Sequence, residues 1–203
     1  MKNSNICEIY IAGGCFWGLE AYIKKIYGII DTSVGYANGN TENTSYKEIS
    51  YTDHAETVHI KYDRNRISLS KLLKYYFSVI DPVSLNKQGN DEGRQYRTGI
   101  YYTDAEDIKI IRKEIEKLQE KYTSEIRIEV EPLKNYIPAE EYHQNYLEKN
   151  PDGYCHIDLN AARSIIIDSE DYVKPDVETL KKQLSPLQFS VTQEKDTERP
   201  FYN

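Results

Sequence analysis

A cysteine flanked by glycines and aromatic residues is the feature of this sequence with the clearest chemical potential. In the GGCFWG segment, residues 13–18, two glycines allow a sharp turn from a strand into a helix, which places Cys15 at the helix N-terminus. Unpaired N–H groups and the helix dipole at that end lower the pKa of a thiol and favour the nucleophilic thiolate. Phe16 and Trp17 would add a small apolar pocket. Cys15 is therefore a candidate nucleophile, although a buried cysteine packed at a strand end fits the local pattern equally well.

A second group of residues carries carboxyl, phenol and imidazole groups, which can donate and accept protons. Its members are Tyr46, His54, Glu56, Asp91 and Tyr96. If the loops that carry them meet above Cys15, acids and phenols would surround a thiolate. Each residue also has an ordinary interpretation, since Tyr46 can pack, Glu56 can be a solvated strand residue and Asp91 can form a turn.

The other two cysteines, Cys7 and Cys155, have neither CxxC nor metal-ligand spacing with Cys15. Three is also an odd number for a structural disulfide framework. Unpaired cysteines in a cytoplasmic protein are either buried apolar thiols or reactive ones. We therefore expect no metal site, and we expect Cys7, in the first predicted strand, to be buried packing.

The composition favours a soluble cytoplasmic protein. The chain has 203 residues, which suits one large domain or one domain with an appendage, and its formal net charge is -7. An acidic chain without a Lys/Arg stripe is a poor nucleic-acid binder, because that affinity depends on neutralising phosphates. The sequence has no apolar run of membrane-spanning length, and residues 1–10 lack the basic start and apolar stretch that are typical of a secretory signal. We expect neither nucleic acid nor a membrane as a partner.

Hydrophobic periodicity predicts the elements that must position these residues. The predicted strands are 6–12, 29–36, 56–62, 98–102 and 127–130, and the predicted helices are 15–26, 69–80, 104–118 and 139–149. Ser68 and Thr103 are the expected N-caps of the second and third helices, and residues 82–96 are expected to form a long polar loop. Strands and helices alternate without strict βαβ regularity. This pattern favours an α/β (α+β) fold, a two-layer sandwich around a mixed β-sheet.

Seven stretches of the sequence, in order, closely resemble the methionine sulfoxide reductase A family. They are GGCFWGLE at 13–20, VGYANG at 34–39, HAETV at 54–58, DP at 81–82, QGND at 88–91, QYRTGIYY at 95–102 and YHQNYLEKNPDGYC at 142–155. Together they extend from about Ile9 to Asp158, and the complete ordered set is highly specific. The resemblance implies a ferredoxin-like core, a catalytic domain over residues 1–160, and peptide-methionine (S)-S-oxide reductase activity in the repair of oxidised proteins.

The resemblance also implies a role for each candidate residue. Cys15 matches the catalytic nucleophile, and Glu56 matches the carboxyl that protonates the sulfoxide oxygen. Burial would raise the pKa of such a carboxyl and keep it protonated for that role. The implied catalytic set is Cys15, Glu56, Cys155, Tyr46, Tyr96 and Asp91, and the implied substrate-binding set is Phe16, Trp17, Tyr46, Glu56, Asp91, Tyr96 and His143, with support from Tyr146.

The implied reaction cycle needs no bound cofactor. The Cys15 thiolate attacks the sulfur of methionine sulfoxide, free or in proteins, and Cys15 remains as a sulfenic acid when methionine leaves. Cys155 matches the family's resolving cysteine, which condenses with the sulfenic acid to a disulfide. An external dithiol, thioredoxin or a thioredoxin-like protein, would then reduce that disulfide by exchange.

Two features depart from the family pattern. Asp53 stands where the family often has glycine before His-Ala-Glu, which would reshape the loop without moving the acid. Some members have a second recycling cysteine after the resolving one, and this sequence has none beyond Cys155. Two catalytic cysteines should therefore suffice.

The C-terminal region, residues 161–203, is polar, contains several prolines and shows little periodicity. We interpret it as a linker and an extended tail. Within it, Leu180–Phe201 resembles the opening of the methionine sulfoxide reductase B family. The chain therefore resembles the A half of a fused A/B reductase followed by the truncated start of the B half. An unrelated polar extension is the alternative, and B-type activity is expected to be absent in either case.

Two other functions use the same residues. A cysteine peptidase could pair Cys15 with His143, and it would need an oxyanion donor but no resolving cysteine. A non-catalytic peptide-binding module could use the aromatic pocket alone. Turnover of a sulfoxide that depends on Cys15 would distinguish the reductase from both.

Overall fold

The computed structural model describes residues 5–155, 157–161 and 176–194. Its strands are β1 (Ile6–Ala12), β2 (Ile29–Ala37), β3 (Ala55–Asp63), β4 (Lys87–Gln88), β5 (Asp91–Glu92), β6 (Gly99–Tyr102), β7 (Glu129–Pro132) and β8 (Tyr136–Pro138). Six of them form a mixed sheet with the order β7-β6-β1-β3-β2-β8, in which β6 and β7 are parallel and the other neighbours antiparallel. Strands β4 and β5 form a separate small hairpin.

The helices of the first part of the chain complete a ferredoxin-like core. They are α1 (Phe16–Ile23), α2 (Ile49–Thr52), α3 (Leu69–Phe77), α4 (Asp107–Gln119) and α5 (Tyr146–Lys149). The succession β1-α1-β2-β3-α3-β6 with the spatial order β6-β1-β3-β2 is that of the split βαβ motif. The predicted fold class, a two-layer α/β sandwich around a mixed sheet, is confirmed.

The main core lies between one face of the sheet and the helices. Alternate residues of the central strands, such as Ile9, Ile11, Val58 and Ile60, are fully buried there against α1 and α3. The apolar positions of α3 recur with helical spacing, and Ser68 caps the helix by accepting a hydrogen bond from the Lys71 N–H at 3.2 Å, as predicted. This packing fixes the ends of β1 and β3, which carry the candidate site.

Several predicted elements differ from the structure. The helix predicted over 139–149 is wrong in its first part, because Asn145 has a positive φ and α5 begins only at Tyr146. Strand β8 was not predicted, since three residues ending in a proline give little pattern. Thr103 is not an N-cap, because α4 begins at Asp107 after a turn. The predicted loop over 82–96 contains the β4–β5 hairpin and a 3₁₀ turn, Arg94–Tyr96.

A second compact unit begins at Ile167. Its described part contains α6 (Val177–Gln183) and α7 (Pro186–Gln193). Asp176 accepts a hydrogen bond from the Thr179 N–H at 2.9 Å, and Ser185 forms a reciprocal capping box with Gln188. The described part of the region predicted to be extended is therefore helical, because its polar residues supply helix caps. The predictions for residues 162–175 and 195–203 lie outside the described residues. None of the described helices has the length and apolar character that crossing a membrane requires.

Candidate active site

Cys15 lies at the junction that the sequence predicted. Gly14 has a positive φ of 76°, a conformation that glycine adopts without strain, and it turns the chain from β1 into α1. Cys15 is the N-cap residue of α1, and its side chain is buried as a free thiol. Backbone N–H groups of Trp17 and Gly18 face its sulfur and lower its pKa.

Glu56 lies beside the nucleophile. It is the second residue of β3, it is 1% exposed, and its Oε2 accepts a hydrogen bond from the Phe16 N–H at 3.0 Å. Burial raises the pKa of Glu56 from 4.5 to about 8, an effect that the Phe16 N–H opposes and the charge of Asp91 increases. The carboxyl is therefore largely protonated at neutral pH. It is hydrogen-bonded to the residue that directly follows Cys15.

The same burial overturns one expectation about Cys15. The helix N-terminus was predicted to lower the pKa of its thiol, but the pKa is raised. Desolvation is the largest cause, the charges of Glu56 and Asp91 add to it, and the N–H groups of α1 only partly oppose it. The resting site therefore holds a neutral thiol beside a carboxyl that is mostly neutral.

The phenols of Tyr46 and Tyr96 meet at the site. Burial together with the charge of Glu56 raises the pKa of both, and the neighbouring Tyr96 side chain partly opposes the shift at Tyr46. Both phenols therefore keep their protons at neutral pH and remain hydrogen-bond donors. Tyr96 belongs to the 3₁₀ turn after the hairpin, and Tyr46 precedes α2. Two loops that are distant in sequence thus converge.

Aromatic rings form a pocket next to Cys15. The rings of Phe16 and His143 lie 5.2 Å apart, and Trp17 stacks on Tyr146 at 3.7 Å. The Trp17 Nε1–H donates a hydrogen bond to Nδ1 of His143 at 3.0 Å, and the Tyr46 ring lies 4.7 Å from the imidazole. The structure therefore assembles the predicted aromatic residues into one wall.

The segment after α5 brings the last predicted residues to the site. Tyr154 Oη donates a hydrogen bond to Asp91 Oδ2 at 3.2 Å, which ties this segment to the β4–β5 hairpin. Cys155, the next residue, is a half-buried free thiol that donates a hydrogen bond to the Ile157 carbonyl at 3.2 Å. Its sulfur lies against α1 at Gly18.

The sequence comparison assigns the family. A sequence model described as peptide methionine sulfoxide reductase matches residues 7–174. The chain belongs to this family. It is a thiol-dependent reductase of methionine sulfoxide, and the alternatives of a cysteine peptidase and of a non-catalytic binding module are rejected.

Solved structures agree with this assignment. Mxr1 from Saccharomyces cerevisiae in reduced form is 40% identical, with 74% of this chain and 88% of that chain covered and a TM-score of 0.70. Methionine sulfoxide reductase A of Corynebacterium diphtheriae is 35% identical, with 76% and 79% covered and a TM-score of 0.66. Mxr1 in complex with Trx2 is 29% identical, with 70% and 84% covered and a TM-score of 0.51.

Two residues of the reductase site, Glu140 and Tyr36, were not predicted from the sequence. Glu140 accepts hydrogen bonds from the Tyr36 hydroxyl at 2.6 Å and from the Tyr46 N–H at 3.1 Å. It therefore fixes the backbone of the loop that carries Tyr46. Tyr36 lies within the recognised VGYANG stretch, but Glu140 lies just before a recognised stretch and had no signal of its own. His54, in contrast, is fully buried, and its Nδ1 lies 3.0 Å from Thr52 Oγ1.

Cys7 differs from its predicted role as buried packing. It is half-buried at the start of β1 and packs against the main core, but its sulfur also accepts hydrogen bonds from Arg64 Nε at 2.9 Å and Nη2 at 2.7 Å. The position is therefore partly polar.

Proposed function

We propose that Cys15 is the nucleophile of this reductase and that Glu56 is its general acid. The main observation in support is the 3.0 Å hydrogen bond from the Phe16 N–H to Glu56 Oε2. It holds a mostly protonated carboxyl against the residue that directly follows Cys15. A sulfoxide oxygen leaves poorly unless it gains a proton as the sulfur is attacked. Burial of Glu56 supplies a carboxyl that can give that proton at neutral pH.

The first step transfers the sulfoxide oxygen to Cys15 and produces methionine. Glu56 protonates the sulfoxide oxygen while the electron pair of the Cys15 sulfur attacks the substrate sulfur, and the thiol proton of Cys15 replaces the proton that Glu56 gave. The oxygen then passes to Cys15: the substrate S–O bond and the temporary S–S bond break, and an S–O bond forms on the Cys15 sulfur. The thiol and the sulfoxide have become a Cys15 sulfenic acid and a thioether. The Tyr46 and Tyr96 hydroxyls stabilise the charge that develops on the oxygen, with Asp91 as a supporting acid.

The aromatic wall binds the methyl group next to the substrate sulfur. Phe16 and Trp17 hold the methyl group, and His143 supports them through the Trp17 indole. A methyl pocket on one side of the sulfur and proton donors on another accept one configuration of a chiral sulfoxide. The S epimer is the proposed substrate, on the strength of the resemblance to the A family.

The second step regenerates the thiols. The Cys155 thiol attacks the sulfur of the Cys15 sulfenic acid, which forms a disulfide and releases water. An external dithiol then reduces the disulfide to two thiols and is itself oxidised. The proposed dithiol is thioredoxin, and the yeast relative solved in complex with Trx2 supports this choice. The cycle uses no bound cofactor or metal.

The proposed catalytic domain comprises residues 1–160, and it acts in the cytoplasm on free or protein-bound methionine sulfoxide. Residues 161–203 are proposed to be a linker and the beginning of a B-type domain. The resemblance of Leu180–Phe201 to the opening of that family supports this division. The chain should accordingly leave the R epimer unreduced.

Separated R and S epimers of a peptide methionine sulfoxide test this function. Wild type, Cys15→Ser and Cys155→Ser are assayed with dithiothreitol and then with thioredoxin. We expect S-only turnover, complete loss in Cys15→Ser, and selective loss of thioredoxin-supported cycling in Cys155→Ser. Reduction of the R epimer, or undiminished turnover in Cys15→Ser, would contradict the proposal.

A further inference from the structure

Gly18, the third residue of α1, is a neighbour of both sulfurs of the proposed cycle. Its N–H faces the Cys15 sulfur from the first turn of the helix. A Cβ added at Gly18 would lie only 3.0 Å from Cys155 Sγ. We propose that Gly18 is a positioning residue for disulfide formation. Because glycine has no side chain, it leaves the space that Cys155 needs to approach Cys15. The inference rests on the resolving role proposed for Cys155.

The backbone at Gly18 does not require glycine. Gly18 lies within a regular helix and has no positive φ, unlike Gly14 at the preceding turn. Glycine inside a helix costs about 0.5–1 kcal/mol relative to alanine. A residue that weakens the first turn of α1 needs another reason to be there, and the space next to Cys155 supplies one.

Contacts on both sides hold Cys155 against this space. Before it, Tyr154 donates its hydroxyl proton to Asp91 at 3.2 Å. After it, Ile157 is buried in the main core, and its carbonyl accepts the hydrogen bond from the Cys155 thiol. An added Cβ at Gly18 would also lie 3.7 Å from Ile157, which is ordinary contact. The sulfur of Cys155 is therefore the atom that a side chain at position 18 would displace.

A small displacement of this sulfur affects the disulfide step directly. The step converts a Cys15 sulfenic acid and a Cys155 thiol into a disulfide and water, and the S–S bond demands a close approach with a defined torsion. A methyl group at position 18 stands where Cys155 must lie for that approach. Because misplacement of reacting atoms by about 1 Å can reduce a rate by roughly 100-fold, we expect Gly18→Ala to slow disulfide formation by about 10- to 100-fold.

The test separates the two chemical steps in Gly18→Ala. Reduced wild type and variant are mixed with one equivalent of a peptide methionine S-sulfoxide without reductant, and samples are quenched over time. Methionine formed, free thiols remaining and sulfenic acid trapped by dimedone are measured. In wild type we expect two thiols to disappear for each methionine. In Gly18→Ala the disulfide step should slow far more than the methionine-forming step, so that trapped sulfenic acid accumulates.

The double variant Gly18→Ala/Cys155→Ser is the matched control. If the alanine acts through Cys155, the double variant should form methionine and sulfenic acid at the rates of Cys155→Ser alone. Equal slowing of both steps in Gly18→Ala, or disulfide formation at the wild-type rate, would overturn the inference and leave the proposed function intact. Disappearance of two thiols in Cys155→Ser would instead overturn the resolving role itself.

Discussion

The pairing of Cys15 with Glu56 shows what residue types can and cannot predict. The sequence identified both residues, Tyr96 and the aromatic residues Phe16, Trp17 and His143 within recognised stretches, and it identified Tyr46 through the family resemblance although Tyr46 lies outside those stretches. It placed the thiol at a helix N-terminus and therefore predicted a lowered pKa, whereas the structure shows it raised by burial beside Glu56. Local sequence specifies the helix dipole, but desolvation depends on residues far along the chain that cover the site.

The protonation of Glu56 should set the pH dependence of the first step. The pKa of this carboxyl is raised to about 8, so the acid is lost as pH rises through that value. Single-turnover rates of methionine formation should fall accordingly. Glu56→Gln should be slower by about 10²- to 10⁴-fold, the usual contribution of general acid catalysis, and should lack this decline. An unchanged rate in Glu56→Gln would remove the carboxyl from the mechanism.

The hydrogen bond between Trp17 and His143 should break when the His143 imidazole is protonated. Nδ1 of His143 accepts the indole N–H only while that nitrogen is unprotonated, and burial lowers the pKa of the imidazole, with Glu140 opposing the shift. Trp17 is the only tryptophan in the chain, so tryptophan fluorescence reports the surroundings of this indole. We expect a fluorescence change as pH falls below about 6.5, the ordinary histidine value.

Two variants test whether protonation of His143 causes this fluorescence change. His143→Gln should abolish it, while Glu140→Gln should only move it further into the acid range. Tyr46 and Tyr142, the other ionisable groups packed on the imidazole, stay protonated throughout this pH range. Persistence of the same transition in His143→Gln would show that the bond is not its source.

At the scale of elements, the strands and helices with strong periodicity were predictable, and those formed by tertiary contacts were not. The bounds of β1 were predicted to the residue. The segment before α5 has helical periodicity, yet the buried Glu20 accepts a hydrogen bond from the Asn145 N–H at 3.0 Å and holds Asn145 at a positive φ. A contact across more than a hundred residues thus ends a helix that local propensity favours.

Asp53, where the family often has glycine, connects two elements of the site. It has a positive φ of 58° at the end of α2, and its Oδ2 accepts a hydrogen bond from Arg94 Nη2 at 3.0 Å. Arg94 begins the 3₁₀ turn that carries Tyr96, and β3 with Glu56 begins shortly after Asp53. The ion pair therefore fixes the phenol relative to the acid.

Loss of this ion pair should reduce activity more than stability. We expect Arg94→Gln to lower kcat/KM by about 3- to 10-fold through misplacement of Tyr96. Because Arg94 is half-exposed, the free energy of unfolding should change by less than about 1 kcal/mol. Asp53→Gly, which suits the backbone, should have the same effect on kcat/KM, and the double variant should be no worse than either. Additive losses would show that the two residues act separately.

At the scale of the whole molecule, the burial of Glu56 that suits it to act as an acid also lowers the stability of the fold at neutral pH. The unfolded pKa of Glu56 is near 4.5 and the folded pKa is about 8, so between these values the folded protein binds more protons than the unfolded chain. The contribution of Glu56 to the free energy of unfolding must therefore decrease as pH rises from about 4.5 to 8. The sequence predicted the two-layer architecture around this site but not the two helices of the C-terminal unit, whose capping residues were attributed to an extended tail.

Glu56→Gln should remove this pH dependence. The amide does not ionise, so we expect the variant to be more stable than wild type by about 2–4 kcal/mol at pH 8 and nearly equal to it at pH 4.5. Urea unfolding at several pH values, followed by circular dichroism, measures the difference. Parallel stability curves for the two proteins would refute the raised pKa.

The most direct test of the account is the fate of Cys15 after a single turnover in Cys155→Ser. The variant is mixed with one equivalent of a peptide methionine S-sulfoxide, trapped with dimedone, digested and analysed by mass spectrometry. We predict one methionine formed for each chain and dimedone attached to the peptide that contains Cys15, with Cys7 unmodified. Methionine formed while Cys15 remains a free thiol would contradict nucleophilic attack by this residue.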